Sequence, residues 1–329
     1  MEVASKLSGN EQKNTDSDED ENGISIFVQG EEKKKIKVLI HDGTGTIYPY
    51  QNLIPYLKDN AGQNETIIGI TNTNASDYKE VKTEEVISKL GLKYGKMLAE
   101  MDYFEYEIIG FCFGGIVAVE TAKYLMQEGK NVLPVKTIDT PYCDRHIRSD
   151  FLMERTFAMS LGISYEESGY PGEDKDLVNL FESLLEEQKE ITDEVLCSLH
   201  GEYEKLGNVF RYLAKDDQET RLKRLYDICR KNSGERFNQS EKEFMENYEI
   251  SKTCFESMSI YEELYMGDVT DLFCSDDKVN FFPMLGGHGG TFWKERVLGN
   301  LEEIPIEGNH DTCMKEPIIA DVAKILLDK

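Results

Sequence analysis

The stretch YEIIGFCFGGIVAVETA, residues 106–122, restricts the fold more than any other part of the chain. It opens as an apolar strand-like run, ends as a helical pattern, and leaves only a few residues between them for a sharp reversal. A chain that turns this abruptly needs an unusual backbone at the turn and near contact between strand and helix. Small residues are therefore required two positions before and after the residue at its tip. Gly110 and Gly114 occupy those places around Cys112.

The surrounding pattern gives this elbow a context. The short apolar runs ISIFV, KIKVLIH, ETIIGIT, VLPVKTID and VTDLFCS alternate with helical segments such as EEVISKLGLKYGKMLAEM and IVAVETAKYLMQEG. Strands alternating with helices predict an α/β fold, a mostly parallel sheet covered on both faces. The rhythm breaks between about Arg145 and Met245, where LVNLFESLLEEQKEITDEVLCSLHGEYEKLGNVFRYLA and RLKRLYDICRK read as consecutive amphipathic helices without a convincing strand. Residues 145–245 are thus expected to form a large helical lid inserted within a domain spanning 24–329. Ahead of it, GNEQKNTDSDEDENG has no large apolar side chain, so 1–23 is expected to be a disordered acidic tail or linker.

Charge narrows the classes of partner. With 63 acidic and 37 basic residues the chain carries a formal charge of -26, which repels nucleic-acid phosphates and anionic lipid. No apolar run approaches the ~18 residues of a membrane span, and MEVASKLSGNEQ lacks the apolar centre of a secretory signal. The expectation is a soluble cytoplasmic protein that binds neither nucleic acid nor membrane. The seven cysteines are scattered, with no CxxC pair, which argues against a disulfide framework or a zinc knuckle. Neither a permanently bound cofactor nor a metal is expected.

Cys112 differs from the other thiols in its setting. At the tip of the turn it would sit at a helix N-terminus, which favours the thiolate, and the amide of Phe113 would face the same space as a donor to an oxyanion. A catalytic thiol needs a base, and the base needs a carboxylate to orient it. His310, in IPIEGNHDTCM, follows the last apolar strand-like run and suits the base. His200 lies in the helical insertion, and His288, in LGGHGGTFW, has nothing obvious to orient it. Asp139, at the end of VLPVKTID, puts a carboxylate at the sheet edge where open α/β folds gather their chemistry. Asp276 and Asp277 in FCSDDK offer a second position for the acid.

Taken together these blocks resemble the thioesterase domains that terminate nonribosomal peptide synthetases and polyketide synthases, within the α/β-hydrolase superfamily. KVLIHDGTGTIYPYQNLIPYL is similar to the family's first core strand and glycine-rich turn. IGFCFGGIVAVETAKYLMQEGKNVLPVKTIDTPY is similar to its elbow, helix and acid strand, and VTDLFCSDD, Trp293 and EEIPIEGNHDTCMKEP to its closing strands and histidine loop. The resemblance covers nearly all of 36–144 and 246–329. It implies an α/β-hydrolase fold and a Cys112, Asp139, His310 triad, the spacing from nucleophile to acid favouring Asp139 over Asp276 and Asp277. It further implies an oxyanion hole from the amides of Phe113 and Gly43, with Thr44 the neighbouring candidate for the second.

The same resemblance implies a substrate held as a thioester on the phosphopantetheine of an acyl or peptidyl carrier protein domain, with release by cyclisation or hydrolysis. Cysteine stands where most members carry serine, and the insertion is long for the family's lid. Dienelactone hydrolases share Gly-x-Cys-x-Gly-Gly but lack a helical insertion after the acid strand. A non-catalytic scaffold has no reason to keep thiol, acid and imidazole in order.

Overall fold

The computed structural model describes residues 23–328 apart from 73, 142–146, 172–176, 178, 182, 185–189, 234–236, 238, 275–288 and 311. The acidic tail up to residue 22, Asp276, Asp277 and His288 therefore lie outside the described residues. Chain contacts divide the described residues into two units, one holding 23–141, 253–274 and 289–328, the other 147–252.

In the first unit the apolar runs form strands β1 (Ile24–Val28), β2 (Lys35–Ile40), β3 (Glu65–Ile70), β4 (Glu105–Phe111), β5 (Asn131–Val132) and β6 (Val135–Ile138). In β2, β3 and β4 every residue after the first is buried instead of every second one. That is the signature of strands covered on both faces. The helices α1 (Leu53–Asp59), α2 (Ser76–Lys79), α3 (Val86–Met101) and α4 (Phe113–Gln127) connect them. α4 buries almost its whole surface, including Phe113, Ile116, Val117 and Leu125.

Two further strands of this unit, which follow the helical unit in the chain, complete its sheet. Because the helical unit contributes β7 (Ile147–Arg148) and β8 (Ile191–Thr192), these are β9 (Val269–Cys274) and β10 (Leu301–Ile306). The sheet runs β1-β3-β2-β4-β6-β9-β10, with β5 beside β4. Only β1 is antiparallel to its neighbour, so the mostly parallel sheet expected from the sequence is present. β4 lies centrally, between β2 and β6, and the C-terminal ends of β2, β4, β6 and β9 converge on one edge.

The helical unit contains the helices Asp150–Ser160, Tyr165–Ser168, Asp193–Cys197, Glu204–Leu213 and Gln218–Ser233 and most of Glu241–Ser259. Ser149 and Thr192 cap two of these, accepting from the amides of Leu152 and Val195, as N-caps do. The pair β7–β8 is parallel, a short strand pairing that the helical periodicity of the sequence conceals. Among the described residues no helix is long and apolar enough to cross a membrane.

Candidate active site

At the end of β4 the chain reverses on Cys112, whose φ of 56° and ψ of -128° are disfavoured for any L-residue. The glycines make that reversal sterically feasible. A Cβ on Gly110 would lie 2.1 Å from the Gly114 carbonyl oxygen, and one on Gly114 would lie 2.4 Å from the carbonyl oxygen of His41. The Cys112 amide donates to Ile138 at 3.0 Å and its carbonyl accepts from Gly115 at 3.0 Å, which ties the turn to both β6 and α4. Cys112 is buried at 6 % exposure and stands at the N-terminus of α4 without a side-chain capping bond, where amide dipoles favour negative charge.

Across from it stands the turn after β2. Phe113 is the first residue of α4, and a Cβ built on Gly43 would be 3.7 Å from the Phe113 Cβ, so the two backbones are neighbours. Among the described residues neither the Gly43 nor the Phe113 amide donates to a protein acceptor. Thr44 is different: its amide donates to Asp42 Oδ1 at 2.9 Å. This separates the two candidates for a second oxyanion donor and leaves Gly43. Behind the turn, the buried ring of His41 contacts the Asp42 carbonyl through Nδ1 at 2.8 Å and the Tyr94 hydroxyl through Nε2 at 2.7 Å. A carbonyl can only accept, so Nδ1 carries the proton. Burial lowers the His41 pKa to about 4, which keeps the ring neutral and this tautomer fixed.

The acid and imidazole meet above the same edge. Asp139 follows β6 with φ 43°; its amide donates to Leu272 at 2.7 Å and its Oδ1 accepts the Cys274 amide at 3.0 Å. Oδ2 accepts from His310 Nδ1 at 2.6 Å. The loop carrying His310 is itself closed by reciprocal bonds, Asn309 N–H to Thr312 Oγ1 at 2.9 Å and Thr312 N–H to Asn309 Oδ1 at 3.1 Å. Phe111 stacks on the imidazole with centroids 4.8 Å apart. With Nδ1 engaged by Asp139, Nε2 is the ring nitrogen left for Cys112, which is near enough to raise the pKa of the imidazole.

Charge follows this geometry. Burial pulls the His310 pKa down, but Cys112 and Asp139 together hold it well above its ordinary value. Burial likewise pushes Asp139 up, and the His310 bond and the Cys274 amide outweigh it, leaving the carboxyl below the usual range. The carboxylate that fixes the ring's orientation also stabilises its cationic form. Behind Asp139 lie the buried Cys274 and Cys313, with the three ligand-type atoms within 4.8 Å of one another.

The structure thus brings together Cys112, Asp139, His310, Gly43, Phe113, Gly110 and Gly114. His200, in the helical unit, is 74 % exposed and bonds Glu204 at 3.0 Å. Three supporting groups escaped the sequence reading. They are Phe111 under the imidazole, the Cys274 amide on Asp139, and Tyr50, whose buried hydroxyl donates to Ile40 at 2.9 Å and accepts from the Phe111 amide at 2.6 Å. Only Phe111 carried a signal, an aromatic beside the nucleophile; the other two depend on contacts between distant segments.

No family model matches this chain. Over 165 residues, 50 % of its length, it is 27 % identical to pyochelin synthetase PchF of two Pseudomonas aeruginosa strains, and it spans 9 % of those proteins. Its fold is similar to that of the four-domain nonribosomal peptide synthetase AB3403 bound to AMP and glycine, with TM-score 0.63 and 16 % identity over 96 % of this chain and 21 % of that one. It is also similar to the Vlm2 thioesterase domain bound with a dodecadepsipeptide, with TM-score 0.51 and 14 % identity over 91 % and 94 % of the two chains. The chain shares the fold of these two proteins, and its sheet is mostly parallel and flanked by helices, as the alternation of strands and helices predicted.

Proposed function

We propose that this chain is a thioesterase that releases an acyl or peptidyl chain from a phosphopantetheine-bearing carrier domain through a covalent Cys112 intermediate. The observation that carries the reading is the 2.6 Å bond from His310 to Asp139 beside a thiol at a helix N-terminus. A neutral, purely structural histidine would have no need of a buried carboxylate on one side and a thiol on the other. The similarity to pyochelin synthetase PchF and to the Vlm2 thioesterase domain agrees in substrate class.

In this reading His310 Nε2 takes the Cys112 proton as the sulfur attacks the thioester carbonyl. The tetrahedral oxyanion accepts hydrogen bonds from the Phe113 and Gly43 amides. Collapse expels the carrier thiolate, which takes the proton from His310, and the acyl group stays on Cys112 as a new thioester. His310, held by Asp139, then deprotonates the releasing nucleophile, either water or a hydroxyl or amine of the chain itself. Exchange of one thioester for another loses little acyl-transfer potential, so an internal nucleophile can compete with water. The inserted helices of 145–245 serve in this reading as the lid that selects the acyl chain.

The test is mass spectrometry of the intact protein after incubation with N-acetylcysteamine or carrier-bound acyl thioesters. The expected result is a mass gain equal to the acyl group, lost in Cys112→Ala. Turnover of small enol lactones alone, or release at the original rate by Cys112→Ala, would refute it.

A further inference from the structure

We infer that Asp139, Cys274 and Cys313 form a binding site for a soft divalent cation of the zinc and cadmium class, and that occupancy silences the adjacent site. The two sulfurs and a carboxylate oxygen lie within 4.8 Å of one another, all on buried residues. Neither cysteine is in a disulfide and neither has exposed surface. In a tetrahedral zinc site, bonds of about 2.3 Å to sulfur and 2.0–2.2 Å to oxygen put neighbouring donors a little under 4 Å apart. The cluster contracts onto an ion by a shift of about an ångström or less for each donor.

Three distant parts of the chain supply these donors and each is anchored independently. Cys274 ends β9, and its amide holds Asp139 Oδ1 at 3.0 Å while its thiol also bonds that carboxylate. Cys313 lies in the turn after His310, its amide donating to Asn309 at 2.8 Å and its sulfur facing the His310 carbonyl at 3.8 Å. No CxxC spacing announces such a site, because the fold and not the sequence interval brings the sulfurs together. Paired thiolates select soft or borderline ions over magnesium and calcium.

Binding releases the two thiol protons and leaves two thiolates and one carboxylate around a dication. The surplus negative charge sits against His310, the cationic partner of Asp139. An ion that draws on the Asp139 carboxylate competes directly with His310 for it, so the imidazole loses the group that orients it. Since every donor is buried, entry requires local opening, and onset of binding is slow.

Inhibition, but not ion binding, rests on the proposed role of Asp139 in acyl transfer, so the two can fail separately. The experiment titrates the full-length protein, in a non-chelating phosphine reductant, with cobalt(II) as the probe. The readout is the near-ultraviolet sulfur-to-cobalt charge-transfer band, followed by displacement with zinc. One ion per chain is expected, with the band lost in Cys274→Ser and in Cys313→Ser and retained in Cys112→Ala and Cys254→Ser. Zinc at the same stoichiometry should stop thioester turnover by the unmodified protein and spare Cys313→Ser. Should Cys274→Ser fail to fold, as judged by circular dichroism, Cys313→Ser reads the same site. A band that survives both serine variants, that follows Cys112 instead, or that never forms because the two thiols oxidise to a disulfide would overturn the proposal. A band with these dependences but no inhibition would keep the site and refute the catalytic role of Asp139.

Discussion

Two buried acid–base pairs, one in each unit, show how differently the same ingredients can be used. Asp139 meets His310 through a single bond of 2.6 Å, on residues whose backbones are held by turns and stacked rings. Glu154 of the helical unit meets Arg221 through two bonds of 2.7 Å, and accepts further bonds from Tyr170 and Gln218. Arg221 also lies 4.7 Å from the Phe151 ring centroid and donates to the Asp216 carbonyl at 2.6 Å. The first pair contains an imidazole, a group that can give up its proton; the second contains a guanidinium that never does. In the proposed function the first exchanges a proton with Cys112, while the second keeps its charge in place as helices pack around it.

The largest expected effect comes from breaking the first pair. Asp139→Asn should keep the fold and lower thioester turnover by about 10⁴, as removal of the orienting carboxylate does in other triads. Steady-state kinetics alongside circular dichroism check this, and a variant with unchanged kcat would sink the catalytic assignment. Breaking the second pair should act on stability. Glu154→Gln leaves a buried guanidinium short of an acceptor and a counter-charge, at about 3–5 kcal/mol. Thermal melting and faster amide exchange within residues 147–252 would report it, whereas exchange confined to the strands of the sheet would contradict it.

How much of this was legible depends on the length scale of the cause. The elbow was readable because Gly110, Cys112 and Gly114 meet one another's backbones within five residues. The α/β order was readable because β2, β3 and β4 write burial on both faces as unbroken apolar runs. Yet Lys37, Glu107 and Lys136 sit in β2, β4 and β6 and are nearly inaccessible, with Lys136 bonding Glu107 at 2.6 Å and the Leu326 carbonyl at 2.7 Å. Read singly, each looks like a solvent-facing charge; only the register of β2, β4 and β6 shows that they satisfy one another. Resemblance supplied the pairing of Asp139 with His310. The roles of Tyr50 and the Cys274 amide were beyond the sequence, since each joins segments that nothing local connects.

A third buried acid sharpens the comparison, because among the described residues no cation is paired with it. Asp271, on β9, is inaccessible and accepts from the Thr137 hydroxyl at 2.6 Å, while the Trp293 indole faces it without a well-formed bond. Burial raises its pKa from 3.8 to about 7, with the nearby Asp139 adding to the shift. The native state therefore holds a proton that the unfolded chain releases near pH 4. Its contribution to stability is complete below that pH and is lost as pH rises to about 7, by up to about 4 kcal/mol. Asp271→Asn should flatten this dependence, so that denaturant midpoints of variant and parent diverge between pH 4 and 7. Parallel curves across that range would mean that Asp271 is ionised in the folded protein.

The smallest expected effect asks whether the proton-exchanging pair depends on neutral groups beneath it. Tyr50 has no exposed surface and bridges the ends of two strands, donating to Ile40 on β2 at 2.9 Å and accepting from Phe111 on β4 at 2.6 Å. Ile40 leads into the turn that carries Gly43, and Phe111 both precedes Cys112 and stacks on His310. One hydroxyl thus spaces the oxyanion turn from the nucleophile and the ring that serves it. Tyr50→Phe removes only that oxygen, leaving a buried N–H and C=O without their partner at about 1–3 kcal/mol. If the spacing matters to chemistry, kcat should fall about tenfold to a hundredfold while KM changes little, because misplacement of reacting groups by an ångström has that effect. A loss of melting temperature with kcat intact would assign Tyr50 to stability alone and would place alignment of the site in the backbone of the elbow itself.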